Sequence, residues 1–526
     1  MKKVFLFLVF CLMPLSAWAA PMSFTVNMSE AVNVGTGGGT PRIAVDVGGV
    51  TRYASYASGS GGSALTFNYQ PQAGDLDLDG IALSSPLDLN GGTIADLNGN
   101  AISNLTFTAP NTSGIKIDYP SLSMDFVGSD YILSGTHYGT LPAFLTAAGG
   151  TFTRASVGTY FDAAGTLQTA TANTPRFDYD PVTHAAKGIL IEEQRTNLLK
   201  HSDDLTIAGW VIYNSTLTPN AAIAPDGTMS AYKLVENTTA NTQHWITGTG
   251  FNVVLGQTYI LSVYVKAGER TIFNMFGSGI FPQGAAFNLS TGTKIAGTGT
   301  ITPVGNGWYR CSVVLVANNT GAGAGYIAQL QNGAGSTYTG DAVSGLYLWG
   351  PQLEQGAFPT SYIPTTTAAV TRQADSLTMP TGAWFDGNIG TFYAYFDGGR
   401  ESSQGTYGRV ISSSVSYTLL SCDGGSTSRA GTWGGVSPPL QQDSGQDYYI
   451  IPGTAAMSYN QTSMTRSLSL RGNAAITGSY LNPYSFGTFG IGRNSGSTTN
   501  MLNGHIQKLK YYPSRVADTQ LQLLTQ

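Results

Sequence analysis

Short runs in which apolar and polar residues alternate, broken by Gly, Asn, Pro and Thr, recur along nearly the whole chain. Phe24, Val26 and Met28 fall at every second position, as do Ile43, Val45 and Val47, and then Leu65, Phe67 and Tyr69. Residues two apart share one face of a strand, so each triplet predicts a strand with one buried side. The glycine-rich stretches 35–39 and 59–62 read as the turns between them. Farther along, Tyr259, Leu261, Val263 and Val265 alternate with Ile260, Ser262, Tyr264 and Lys266, and Tyr309, Cys311, Val313 and Leu315 do the same. Cys311 is therefore expected to point into a core. Residues 122–127 and 131–133 predict a small hairpin, and 392–396, 417–420, 467–470 and 487–492 predict further short strands. A helical stripe is expected at the end of the chain, from Val516, Leu521 and Leu524. The pattern predicts an all-β protein made of sandwiches.

Composition supports that class. Only 10% of residues are charged, 67 are Gly, and 28 Tyr dominate the aromatic content. Ser, Thr, Asn and Gly then supply the polar surface, and long helices lack the Glu, Lys and Ala they need. At 526 residues the chain is long enough for several cores. Met1 to Ala19 carries two lysines, a short apolar run and the ending Ala17-Trp18-Ala19, which reads as a cleaved secretory signal. A secreted or surface-displayed protein is expected, with no membrane span, because no later apolar stretch of about 20 residues follows. Loss of Lys2 and Lys3 takes the formal charge from −5 to −7, and no basic stripe suits nucleic acid. Cys311 and Cys422, the cysteines left after the signal, are expected to be buried free thiols.

Three stretches resemble known families. FTVNMSEAVNV, YASYASGSGGSALTFNYQPQAGDLDLDGIAL and LNGGTIADLNGNAI resemble bacterial cell-surface immunoglobulin-like repeats of the swimming-motility type. KGILIEEQRTNLL, YILSVYVKAGER, GNGWYRCSVVLV and GLYLWGPQLEQGAFPTSYIPT resemble the carbohydrate-binding-module-like domain of bacteriophage tail-fibre and head-spike proteins. LNGHIQKLKYYPSRVADTQLQLLTQ resembles the end of concanavalin A-like, laminin G-type lectin domains. These resemblances imply three tandem β-sandwiches: an immunoglobulin-like domain over 20–110, a connector over 111–150, a carbohydrate-binding-module-like jelly roll over 151–375, and a concanavalin A-like lectin domain over 376–526. Lys187–Leu199 and Gly345–Asp375 are expected to form the two ends of the middle domain.

Within the first stretch, Asp75, Asp77 and Asp79 precede Gly80 at the spacing of a calcium loop, where hard oxygens sit at alternate positions before a sharp turn. Pro86 stands where such a loop places a bidentate Glu, so Asp96 or Asn98 would complete the set. A solvated acidic hairpin, with Leu76 and Leu78 on a strand, fits the same residues.

Sugars are held by aromatic rings that cover their C–H faces and by planar polar groups that bond their hydroxyls. Trp245 with Gln243 and His244 is the leading candidate, and Trp433 in a Gly-rich loop is the second; a core role competes for Trp245. Trp210, Trp308 and Trp349 read as structural, and Trp384 stays open. Glycoside hydrolysis needs two carboxyl groups flanking the scissile bond, and no acidic motif of that kind stands out. Glu192 and Glu193 are adjacent and would face opposite ways on a strand. His137, His184, His201, His244 and His505 lack metal-ligand spacing, and no nucleophile elbow occurs. The expectation is a non-enzymatic, adhesin-type carbohydrate-binding protein of phage or prophage ancestry, with a glycan or cell-envelope polysaccharide as partner and calcium as a possible cofactor. A tail-fibre or spike subunit, trimeric as such fibres are, and a ligand-free spacer are the alternatives.

Overall fold

The computed structural model describes residues 5–7, 21–333, 335–398, 407–413, 417–423, 429–434, 440–443, 451–480, 486–495 and 500–526. Of the expected signal segment only Phe5–Phe7 falls within these, as a short strand beside residues 25–27. Strands make up most of the chain; the helices among the described residues are Leu141–Ala148 and Asp518–Leu524. No described helix is long and apolar enough to cross a membrane.

The first sheet runs Met22–Gly35, Gly62–Tyr69, Val50–Ser58, Arg42–Val47 and Ala82–Asp88 in spatial order, with Thr93–Asp96 on the far end of the long first strand. The predicted triplets are all buried here, Val26, Val45 and Leu65 completely. The architecture is compatible with an immunoglobulin-like sandwich.

Residues 210–355 form two six-stranded sheets around one core. One sheet runs Trp210–Tyr213, Trp245–Val253, Gly321–Gln331, Ile272–Ser278, Gly284–Asn288, Thr293–Gly297. The facing sheet runs Ser215–Ala222, Ala231–Glu236, Gly345–Gln355, Thr258–Ala267, Trp308–Val316, Gly299–Pro303. The predicted alternation holds: Tyr259, Leu261, Val263 and Val265 all enter the core, as do Cys311, Val313 and Leu315. Both Cys311 and Cys422 are buried and unbridged.

The last sandwich takes its strands from both sides of that segment, so the order along the chain is interleaved rather than tandem. Its ten-stranded sheet centres on Gly504–Tyr512. One edge of that strand pairs with Ile389–Phe396. The other edge is shared end to end by Leu122–Asp125, which pairs with residues 508–511, and Ala186–Ile191, which pairs with 504–506. Thr151–Thr153 likewise joins Ser376–Met379 in the opposing seven-stranded sheet. The segment read as a connector, 111–150, thus contributes sheet strands, including the expected hairpin as Leu122–Asp125 and Asp130–Leu133. Strand pairing between residues nearly 400 positions apart leaves no local trace in the sequence, which is why an ordered series of domains was the natural reading.

The chain leaves this sandwich near Ile191 and returns near Asp375, and the two crossings pair as Arg195–Asn197 against Val370–Arg372. Buried ions fill the neck. Asp375 accepts from Arg154 at 3.0 Å and from Arg176 at 2.5 Å, while Glu192 accepts from Arg176 at 2.8 Å. Glu192 also accepts from the Ser361 amide at 2.8 Å and its hydroxyl at 2.6 Å, which brings in the inserted sandwich. Burial would raise the Glu192 pKa, but Arg372 and Arg176 outweigh it and hold the carboxyl well below its ordinary range. Glu193 turns to a different partner, Arg195, at 2.5 Å.

Removing one charge from a buried network leaves its partners uncompensated, at a cost of about 3–5 kcal/mol. Asp375→Asn is therefore expected to lower unfolding stability by roughly that amount in urea, with protease cleavage appearing first around residues 191–195 and 372–376. An unchanged midpoint and cleavage pattern would show that the neck is held by something else.

Candidate functional site

Five consecutive strands of the inserted sandwich, Trp210–Tyr213, Trp245–Val253, Gly321–Gln331, Ile272–Ser278 and Gly284–Asn288, contain no Asp, Glu, Lys or Arg. The facing sheet carries Lys233, Glu236, Lys266, Arg310 and Glu354. The register places Tyr213, Trp245, Gln329, Asn274 and Ala286 in one row across these five strands. The flanking positions Ile246, Ala328, Phe273 and Phe287 enter the core, so this row stands on the outward face.

The row joins rings to amides. Tyr213 and Trp245 stack with centroids 4.9 Å apart and planes 15° from parallel. Asn274 donates from Nδ2 to Gln329 Oε1 at 3.0 Å. Tyr213 is 47% exposed, Trp245 is half-buried, and Gln329 is buried at 4%. Flat apolar faces beside carboxamides, each with donors and an acceptor, can cover a ring's C–H surface and bond its hydroxyls.

Of the residues expected to bind sugar, Trp245 lies on this face and Gln243 is exposed just before it. His244 points the other way. It is fully buried, its Nδ1 lies 2.5 Å from the Asn214 carbonyl oxygen, and its ring packs on Tyr338. The cause is the strand's own alternation, which turns 244 inward when 245 turns outward. Trp433 belongs to the strand Arg429–Gly434 of another sheet, and its side chain lies outside the described residues. Trp210 and Trp308 are buried, and their indole N–H groups donate to the His201 and Ile223 carbonyls, both at 3.0 Å. Trp349 donates to Ser230 Oγ, and Trp384 is buried in the last sandwich. The sequence reading missed Tyr213, Gln329 and Asn274; each has strand-like neighbours, but only the cross-strand register joins them to Trp245.

The acidic run Asp75–Asp79 begins with the strand Asp75–Asp77, which pairs with Ile117–Tyr119 in a separate two-stranded sheet, and its carboxylates are engaged by protein donors. Asp75 accepts from Arg52 Nε at 2.8 Å, from the Gln72 amide at 2.6 Å and from the Tyr69 hydroxyl. Asp77 accepts from the Gly48 and Gly80 amides at 2.8 and 2.7 Å, and burial first, with Asp79 nearby, raises its pKa. Asp79 accepts from Gln520 on the C-terminal helix. Asp96 stands in a separate turn, accepting from the amides of Asn98 and Asn100, each at 2.9 Å. Among the described residues no three His, Cys, Asp or Glu side chains are placed to share a metal ion. Between Asp75 and Asp77, Leu76 packs into a cluster with Tyr512, Val516, Leu521 and Leu524, which fastens the two-stranded sheet to the end of the chain.

A second polar cluster lies on the ten-stranded sheet. His505 is held between two carboxylates, Nδ1 at 2.8 Å from Asp397 and Nε2 at 2.9 Å from Asp178, with Lys187 at 4.0 Å from Asp397. Burial alone would lower the imidazole pKa, but the Asp397 charge and the hydrogen bonds to both aspartates outweigh it and raise the value above 6.5. Only the imidazolium can donate to both carboxylates at once; the neutral ring turns a lone pair toward one of them.

Two expectations follow from these clusters. Leu76→Ala should cost about 2–5 kcal/mol of the contact between the two-stranded sheet and the C-terminal helix, read as earlier proteolysis near residues 70–80. The His505 contribution is complete below its unfolded pKa of about 6.5 and is lost as pH rises through the higher folded value. Melting temperature should therefore fall as pH rises above about 6.5 in the wild type, and His505→Gln should remove that slope; an identical slope in both proteins would assign it elsewhere.

Compared with models of known protein families and with curated proteins, the chain matches none.

Proposed function

We propose that this protein binds carbohydrate through the outward face of the inserted sandwich, without turning it over. The observation that carries the reading is the single row of Tyr213, Trp245, Gln329 and Asn274, in which stacked rings adjoin a hydrogen-bonded amide pair on strands free of charge. Hydrolysis would need paired carboxyl groups beside the bound sugar, and these five strands contain no carboxylate. Asp178 and Asp397 do face each other, but across an imidazole that occupies the space between them. Adhesion outside the cell, with weak sites gaining strength when several are presented together, fits this chemistry and the signal-like N-terminus. Phage or prophage ancestry rests on the resemblance of residues 150–375 to tail-fibre and head-spike modules.

A broad glycan array probed with the full mature chain tests the reading. Trp245→Ala should weaken binding about tenfold or more, the scale of one lost ring contact, while the melting temperature stays within a few degrees. Silence of the wild type across the array would instead favour a spacer without a ligand.

A further inference from the structure

Two side-by-side strands lie about 4.8 Å apart, and the Tyr213 and Trp245 centroids are separated by 4.9 Å with nearly parallel planes. Ring spacing that equals strand spacing means that the two rings stand up from the sheet as parallel plates, one on each strand. Trp210–Tyr213 is the edge strand, paired only with Trp245–Val253 within its sheet. Trp245 is therefore flanked by strands on both sides, and Tyr213 is the last plate in the stack. Exposure agrees: Tyr213 is 47% exposed and its same-face neighbour Val211 is 45% exposed, while Trp245 is half-buried.

The same edge is unusual in its charge. Sheet edges are commonly protected by lysine or other charged side chains. The opposite edge of this sheet, Thr293–Gly297, carries exposed Lys294. The Tyr213 edge carries none, and neither do the four strands behind it.

From this geometry we infer that Tyr213 is the ring that a bound sugar covers, with Trp245 as its backing plate, and that the ligand is an uncharged glycan. The inference rests on the carbohydrate-binding reading and assigns within it the contact residue and the ligand class. An incoming pyranose adds a third plate beyond Tyr213, where no strand competes for the space. Exposed Gln243, close to Trp245 in the chain, supplies an amide for its hydroxyls. Acidic sugars would find no cation on these strands to offset the cost of desolvating a carboxylate or sulfate. A neutral polyhydroxylated ring carries no such cost.

The test uses the full mature chain, an array holding matched neutral and acidic glycans, and calorimetric titration of the best ligand. Tyr213→Leu keeps apolar area but removes the flat face; it should weaken binding about tenfold or more, and Tyr213→Phe should restore most of the affinity. Affinity should change less than twofold or so between low and high salt, because no ion pair forms. Retention of full affinity in Tyr213→Leu together with its loss in Trp245→Ala would overturn the assignment of the contact ring while leaving carbohydrate binding intact. Preference for acidic glycans, or affinity that falls steeply with salt, would overturn the ligand class. Absence of any binding by the wild type would remove the carbohydrate reading itself, and this inference with it.

Discussion

Burying several charges where two β-sandwiches meet is the constraint on which the arrangement of this protein depends. Arg154 and Arg176 come from strands and loops that precede the insertion, Glu192 from the outgoing crossing, Arg372 and Asp375 from the returning one, and Ser361 from the inserted sandwich. Each ion lies within reach of partners from segments far apart in the chain. Taking such ions out of water is costly, and that cost is offset only when all partners are in place together. The network therefore acts as a check on assembly: the neck is favourable when both crossings and the inserted sandwich are correctly seated, and unfavourable when one is missing. Gly356 shows how closely the parts approach, since a Cβ there would lie 1.6 Å from an Arg195 guanidinium nitrogen.

The strand Gly504–Tyr512 adds a second, non-ionic closure. It pairs with residues from before the insertion and from after it, so the ten-stranded sheet is incomplete until the end of the chain arrives. The two-stranded sheet of Asp75–Asp77 and Ile117–Tyr119 then docks on that strand and the helix after it. Asp118 accepts from Lys510 and from the Tyr512 hydroxyl, and Gln520 Oε1 accepts from the Leu78 amide at 2.8 Å. Contacts of such long sequence separation are entropically expensive to form and slow folding, but once formed they tie the start, middle and end of the chain into one structure.

What could be read from the sequence was what depends on near neighbours. Alternation identified the core faces of the strands around Val26, Val263 and Val313 because burial of one strand face is a local, period-two property. The stretches Lys187–Leu199 and Gly345–Asp375, expected as the two ends of one domain, each divide: residues 189–191 pair with 504–506 of the last sandwich, while Arg195–Asn197 pairs with Val370–Arg372. Interleaving was not legible, because no local pattern says which distant strand will lie alongside. The acidic run Asp75–Asp79 was ambiguous for a different reason. Alternating carboxylates suit a cation loop, but they equally suit a segment that turns its leucines toward a neighbour and its carboxylates toward backbone amides. His244 shows the same limit at a single residue, since composition groups it with Trp245 while the strand turns it away.

The uncharged edge has a consequence for how the protein must manage its surface. An exposed edge strand with apolar side chains is a template for unwanted pairing, and the facing sheet of the same sandwich shows that charge is available to this chain. Here the four residues Trp210–Tyr213 carry no charge, and Val211, Ile212 and Tyr213 are all exposed. Along the same row as Tyr213, Asn274 donates to the buried Gln329, a hydrogen bond without a net charge. The strand Trp210–Tyr213 is short and presents no charged side chain of its own toward another chain. On the proposed reading, a neutral ring-shaped ligand gains from covering the exposed Tyr213 ring what water does not supply.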